Sequence, residues 1–127
     1  MSKSTYIIDG GNFSTLTEFF DEFQSSVPLE EGFGKNLDAF KDVLRGGFRT
    51  PDEYVLVWKN SELSRERLGY AETARELEHR LQRAHPSAHS SIEERIRLAK
   101  AQTGDTVFDW LVNAIRNENP NIELILD

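Results

Sequence analysis

Asp38 and Asp42 stand four residues apart in a stretch whose apolar residues, Leu37, Phe40, Val43 and Leu44, recur at helical spacing. On a helix of 3.6 residues per turn those apolar side chains share one side, and the two carboxylates lie close together on the other. A carboxylate pair so placed has three chemical uses: catalysis, binding of a divalent cation, or reception of a partner's basic side chains. It can equally be an ordinary solvated face. Asp38, the second helical residue, complements the positive N-terminal end of the helix. Asp42 lies toward the negative end and repels Asp38, each effect costing about 0.3–0.5 kcal/mol; Lys41 and Arg45 soften that cost without removing it. A locally unfavourable residue at an exposed position points weakly to function. From charge and geometry alone, the solvated face and the functional face weigh about equally.

The catalytic use lacks supporting residues. The 127 residues include no cysteine, which excludes a disulfide scaffold, a thiolate zinc site and a cysteine nucleophile. Asp9-Gly10-Gly11-Asn12 is glycine-rich but lacks the spacing and the lysine of a phosphate loop, and reads as a turn after a strand. His79, His85 and His89 are the only histidines, and Pro86 breaks the helix that would align the last two, so no metal site is expected. No catalytic residue, cofactor or enzymatic activity is expected.

Charge narrows the partner. The chain has 22 acidic and 15 basic side chains, a formal net charge of -7. Residues 9–42 hold eight acids and two bases, residues 59–104 nine bases and seven acids, and residues 105–127 five acids and one base. Nucleic acid and anionic lipid are disfavoured as direct ligands, because phosphates are repelled and no counterions are released; a basic protein is the better match. The arginines of 65–97 alternate with glutamates, the pattern of a solvated helical surface. No apolar run approaches the roughly 18 residues of a membrane span, and the polar Met1-Ser2-Lys3-Ser4 lacks a secretory h-region; a cytoplasmic location is the expectation.

The elements that must position the acid pair are legible as an α/β pattern. Tyr6-Ile7-Ile8, Tyr54-Val55-Leu56-Val57-Trp58 and Ile122-Glu123-Leu124-Ile125-Leu126 read as strands, and the uninterrupted middle run predicts burial on both faces. Helical patterns between them predict a three-stranded parallel sheet with right-handed crossovers. Thr15-Leu16-Thr17-Glu18 is a capping box opening a helix with core residues Leu16, Phe19, Phe20 and Phe23, which stops before Pro28. The helix bearing the acids starts at an Asn36 cap and ends at Gly46-Gly47. Residues 60–104 read as a helical insertion: a short polar segment, a helix from Tyr70 to Ala84, and another after a Ser91-Ile92-Glu93-Glu94 capping box. Glu76–Arg80 and Glu93–Arg97 are expected ion pairs at i,i+4. Val107, Leu111, Ala114 and Ile115 mark the last helix, and Trp58 and Trp110 read as core. The expectation is one domain over 1–127, with 60–104 inserted before the last helix and strand.

The run Phe33-Gly34-Lys35-Asn36-Leu37-Asp38-Ala39-Phe40-Lys41-Asp42-Val43-Leu44-Arg45-Gly46-Gly47 resembles the signature of the barstar family, aromatic-Gly-x-Asn-Leu-Asp-Ala-aromatic-or-Leu-x-Asp-x-Leu. Ile7-Ile8-Asp9-Gly10 and Val55–Trp58 fall where that family has its first two strands. The resemblance covers 5–58 well and 105–127 by pattern. It implies a barstar-like fold and an intracellular inhibitor of a basic microbial ribonuclease or ribonuclease toxin, monomeric when free. Asp42 matches the central inhibitory aspartate and Asp38 the neighbouring acid, with Phe33, Gly34 and Asn36 shaping the loop against the enzyme and Lys41 and Arg45 beside it. A ribonuclease presents cations to the substrate phosphate, and a carboxylate on a rigid helix can take the phosphate's place. Gly32, Lys41 and Gly47 depart from the family's aromatic positions, and the third acidic contact of the type member falls near Asn113 or Ala114. The departures imply an enzyme other than barnase as partner, and keep open an immunity or regulatory module of the same fold for another basic toxin or protein.

Overall fold

The computed structural model describes residues 3–29, 33–46, 51 and 53–127; Gly32 and Gly47, the two glycine departures, lie outside them. In chain order the elements are β1 (Thr5–Asp9), α1 (Leu16–Ser26), α2 (Leu37–Leu44), β2 (Tyr54–Lys59), α3 (Ser61–Arg67), α4 (Tyr70–Arg83), α5 (His89–Lys100), α6 (Val107–Glu118) and β3 (Ile122–Leu126). The sheet order is β1-β2-β3, parallel throughout, with Ile7 opposite Val57 and Val57 opposite Ile125. The expected parallel α/β layer is what forms.

Burial on both faces of the middle strand does not occur. Tyr54, Leu56 and Trp58 are buried, whereas Val55 and Val57 are only half-buried and Ile7 and Ile125 are exposed. The chain steps from β1 to β2 to β3 in one direction, and crossovers of one hand then put every covering helix on the same side. The other face is left to solvent.

The core is aromatic. Phe19 sits with its ring 5.2 Å from Trp58, 5.4 Å from Phe13 and 5.5 Å from Phe40. Phe19 lies in α1, Phe13 in the segment between β1 and α1, Trp58 in β2 and Phe40 in α2, so one side chain joins the sheet to the helix that carries the acids. Thr15 caps α1 by accepting from the Glu18 amide, but Glu18 reaches back to the Ser14 amide and hydroxyl instead of to Thr15. Thr15 thus satisfies the Glu18 amide, while the Glu18 carboxylate ties down the residue before the cap.

Asp9-Gly10-Gly11-Asn12 is a turn, as its composition suggests. The Asp9 carboxylate accepts from the Gly11 amide at 2.8 Å and the Asn60 side chain at 2.7 Å, and these bonds hold it below the usual carboxylate range. Gly10 is required there: a Cβ would stand 2.2 Å from the Ser64 hydroxyl and 2.6 Å from the Asn60 carbonyl.

Helices α4 and α5 form a hairpin around a second apolar cluster of Ala74, Leu77, Ile96 and Ala99. Its first turn is tied into the body. Glu72, buried, accepts from the Leu16 amide at 2.7 Å, and Thr73 accepts from the Val107 amide at 2.8 Å. One turn of α4 thereby caps the N-termini of both α1 and α6, where unpaired amides are otherwise costly.

Four expectations in and beside this region are corrected. Helix α5 opens at His89, two residues before Ser91, with no side-chain cap, because the turn at Pro86–Ala88 already delivers helical backbone to that point. Arg97 pairs with Glu94, one turn back at i,i+3, instead of Glu93. Arg80 lies over the Trp110 ring in place of a contact ion pair with Glu76; Trp110 is half-buried at the junction of hairpin and α6, not core.

Candidate functional site

Helix α2 is held at both ends. The Asn36 side chain accepts from the Ala39 amide at 2.8 Å, and its own amide donates to the Gly34 carbonyl at 2.8 Å. At the far end the Asn119 side chain donates to the Leu44 carbonyl at 3.0 Å, and Gly46 turns the chain at φ 95°. Phe40, Val43 and Leu44 are buried and Leu37 is half-buried, so the expected apolar stripe is the packed face.

The opposite face carries Asp38, Asp42 and Arg45, all exposed, flanked by half-buried Lys41. Arg45 donates to Asp42 at 3.2 Å and to Glu118 of α6 at 2.8 Å. One guanidinium therefore holds Asp42 and fastens α2 to α6, yet the Asp42 side chain keeps 62% of its exposure. Asp38 has no ion pair or hydrogen bond among the described residues.

Phe33 shapes the loop from within. It is buried, 5.7 Å from Phe20 and 6.3 Å from Phe40 ring to ring, because the segment before α2 must cover the open end of the aromatic core. Its ring packs inward and anchors the loop, helped by Lys35 pairing with Asp21 of α1. Gly34 is exposed on that loop, and a Cβ there would crowd the Asn36 side chain at 3.2 Å.

Position alone does not distinguish the acids of residues 9–42, but their bonding does. Asp9 fixes the turn, Glu18 caps α1, Asp21 takes Lys35, and Glu22 accepts from the Asp9 amide and the Asn12 side chain. Glu30 and Glu31 lie outside the described residues. What remains is Asp38, without a partner among the described residues, and Asp42, which meets only Arg45 of its own helix and stays 62% exposed.

Residues distant in sequence complete the surroundings. A cavity of about 650 Å³ is lined by Asn36, Asp38 and Lys41, by Trp110, Asn113 and Glu118 of α6, and by Arg80 and Arg95 of the hairpin. Asn113 is exposed and Ala114 buried, and the α6 acid that lines the cavity is Glu118. A sequence signal for this stripe does exist: Thr106 and Asp109 form a capping box that sets the register of α6 and puts Trp110, Asn113 and Asn117 on its outward side. Two of the three histidines serve local structure, His85 accepting from the Ser87 amide and His89 touching the Ala84 carbonyl. Among the described residues no group of three or more His, Asp or Glu could hold a metal ion, and no helix is long and apolar enough to cross a membrane.

Comparison with known proteins identifies the family. The family model described as Barstar (barnase inhibitor) matches residues 4–99. A Bacillus subtilis (strain 168) protein named "Putative ribonuclease inhibitor YrdF" is 36% identical over 72 residues, 56% of this chain and 77% of that relative. With most of its length matched and the acid-bearing helix inside the match, the chain belongs to the Barstar family.

Proposed function

We propose that the chain inhibits a basic microbial ribonuclease, seating α2 and the loop before it in the enzyme's cationic cleft. The observation that carries this reading is how the acids are held: four carboxylates of the acidic segment are engaged in turns, caps and a contact between segments, whereas on one capped helix Asp38 is unpaired among the described residues and Asp42, paired with Arg45, keeps 62% side-chain exposure. Catalytic cations that receive an RNA phosphate also receive a carboxylate, and a helix fixed by Asn36 and Asn119 loses little entropy on docking. Asp42 is the anchor, and Asp38 pairs with a second cation. Family membership supports the reading, as does the name of the Bacillus relative. In the same reading, residues 60–104 are a helical insertion in one domain over 1–127.

The test is a titration of the purified chain against candidate microbial ribonucleases, barnase included, with RNA cleavage as readout. Equimolar chain should abolish cleavage by the cognate enzyme. Asp42→Ala should raise Kd at least thirtyfold, the loss on removing one partner of a buried charge pair, about 2–5 kcal/mol. Glu123→Ala, on the open sheet face, should leave Kd unchanged and is a cleaner control than Asp9→Ala, which disturbs the Asn60 turn. Equal effects at Asp42 and Glu123 would refute the anchor assignment.

A further inference from the structure

Two arginines of the hairpin converge on one indole. The guanidinium carbons of Arg80 and Arg95 lie 4.9 Å and 5.4 Å from the Trp110 ring centroid. Of the other arginines, Arg45 has Asp42 and Glu118, Arg75 has Glu72, Arg97 has Glu94 and Arg67 has loop carbonyls, whereas exposed Arg83 at the end of α4 makes no such bond among the described residues and stacks on no ring. Among the described residues, Arg80 and Arg95 make neither an ion pair nor a hydrogen bond. Arg80 is half-buried, and burial followed by the charge of Arg95 lowers its proton affinity against the opposing pull of Glu76 and Asp38. Two mutually repelling cations on one ring are a local cost that an incoming anion would relieve.

Both arginines line the cavity that α2 lines with Asp38 and Lys41. Whatever docks on α2 thus meets carboxylates and, in the same cavity, two guanidiniums whose N–H edges remain available for a bidentate carboxylate. A uniformly basic surface would be repelled there. RNA is disfavoured too, since the cavity also holds Asp38 and Glu118 and adjoins the acidic segment. We propose that Arg80 and Arg95, stacked on Trp110, form a subsite for an Asp or Glu side chain of the partner, so that the α4–α5 hairpin selects a ribonuclease with a carboxylate beside its cations. This rests on the docking face assigned to α2.

The binding arm uses the full chain and the ribonuclease it inhibits. Arg80→Gln with Arg95→Gln should raise Kd at least tenfold at low salt, and Arg95→Gln alone, at an exposed position that tolerates change, severalfold. Unchanged or tighter binding in these variants, with Asp42→Ala still damaging, overturns the subsite and leaves the inhibitor reading standing. Loss at Asp42 and at the arginines together supports both. Should Asp42→Ala prove silent, the docking reading fails by itself, and a second arm decides the subsite: titration of the free chain with the peptide acetyl-Glu-Glu-Glu-amide, followed through the Trp110 indole N–H resonance. A saturable shift that Arg95→Gln abolishes supports the subsite. No shift, or a shift produced only by a single-stranded RNA decamer, overturns it.

Discussion

Tyr54 carries a buried hydroxyl with no hydrogen-bond partner among the described residues. Its ring is well placed, 5.3 Å from that of Tyr6 in an edge-on contact, so the apolar part of the side chain keeps it inside while the oxygen has lost water for nothing. Tyr54→Phe should therefore raise stability in urea unfolding, by up to about 1 kcal/mol. The pH dependence follows from the same burial, which pushes the phenol above its ordinary 10.0. A raised value means that stability is fully present below pH 10.0 and falls above it, as the unfolded chain ionises and the folded one does not. The variant should lose less stability than the parent between neutral and strongly alkaline pH; parallel curves would show that the hydroxyl is solvated or paired. At this scale the acid pair was legible because local spacing alone puts Asp38 and Asp42 opposite an apolar stripe. The burial of Phe33 was not, since nothing beside it in the chain says that the aromatic core has an open end to fill.

At the scale of elements, the two N-termini capped from α4 are the least expected feature. Glu72 accepts from the Leu16 amide and is flanked by Arg75 at 2.6 Å, which is itself 45% exposed. Glu72→Ala should cost about 2–4 kcal/mol in urea unfolding, because it strands a buried amide at the start of α1. Glu72→Gln, which keeps an acceptor, should cost less than half as much. If Ala and Gln cost the same, the carboxylate is a packing element and not a cap. Local caps such as Thr15 and Asn36 were legible, whereas the additional acceptors that α4 supplies to the first amides of α6 and α1, from 34 and 56 residues away at Val107 and Leu16, were not. The missed opening of α5 has a related origin: Ser91 and Glu94 fit a capping box, but the turn at Pro86–Ala88 starts the helix first and leaves Glu94 free to pair with Arg97.

For the whole molecule, a net charge of -7 concentrated near the acid-bearing helix should steer a basic enzyme toward it. Stopped-flow association with the inhibited ribonuclease should slow at least tenfold between roughly 0.01 M and 1 M salt, as the screening length shrinks from about 30 Å to about 3 Å, with dissociation changing far less. A salt-insensitive association rate would make the acidity a solubility feature. Composition and periodicity by themselves determined the parallel α/β order, the core stripes of α1 and α2, and the solvent-facing acids, because each depends on neighbours within one or two turns or one strand. Tertiary structure alone decided which sheet face stays open, which acids are engaged and which are presented, that Arg45 joins Asp42 to Glu118, and that two arginines meet over Trp110. Those outcomes depend on contacts between residues tens of positions apart, set by how same-sided crossovers stack the helices, and no local pattern encodes them.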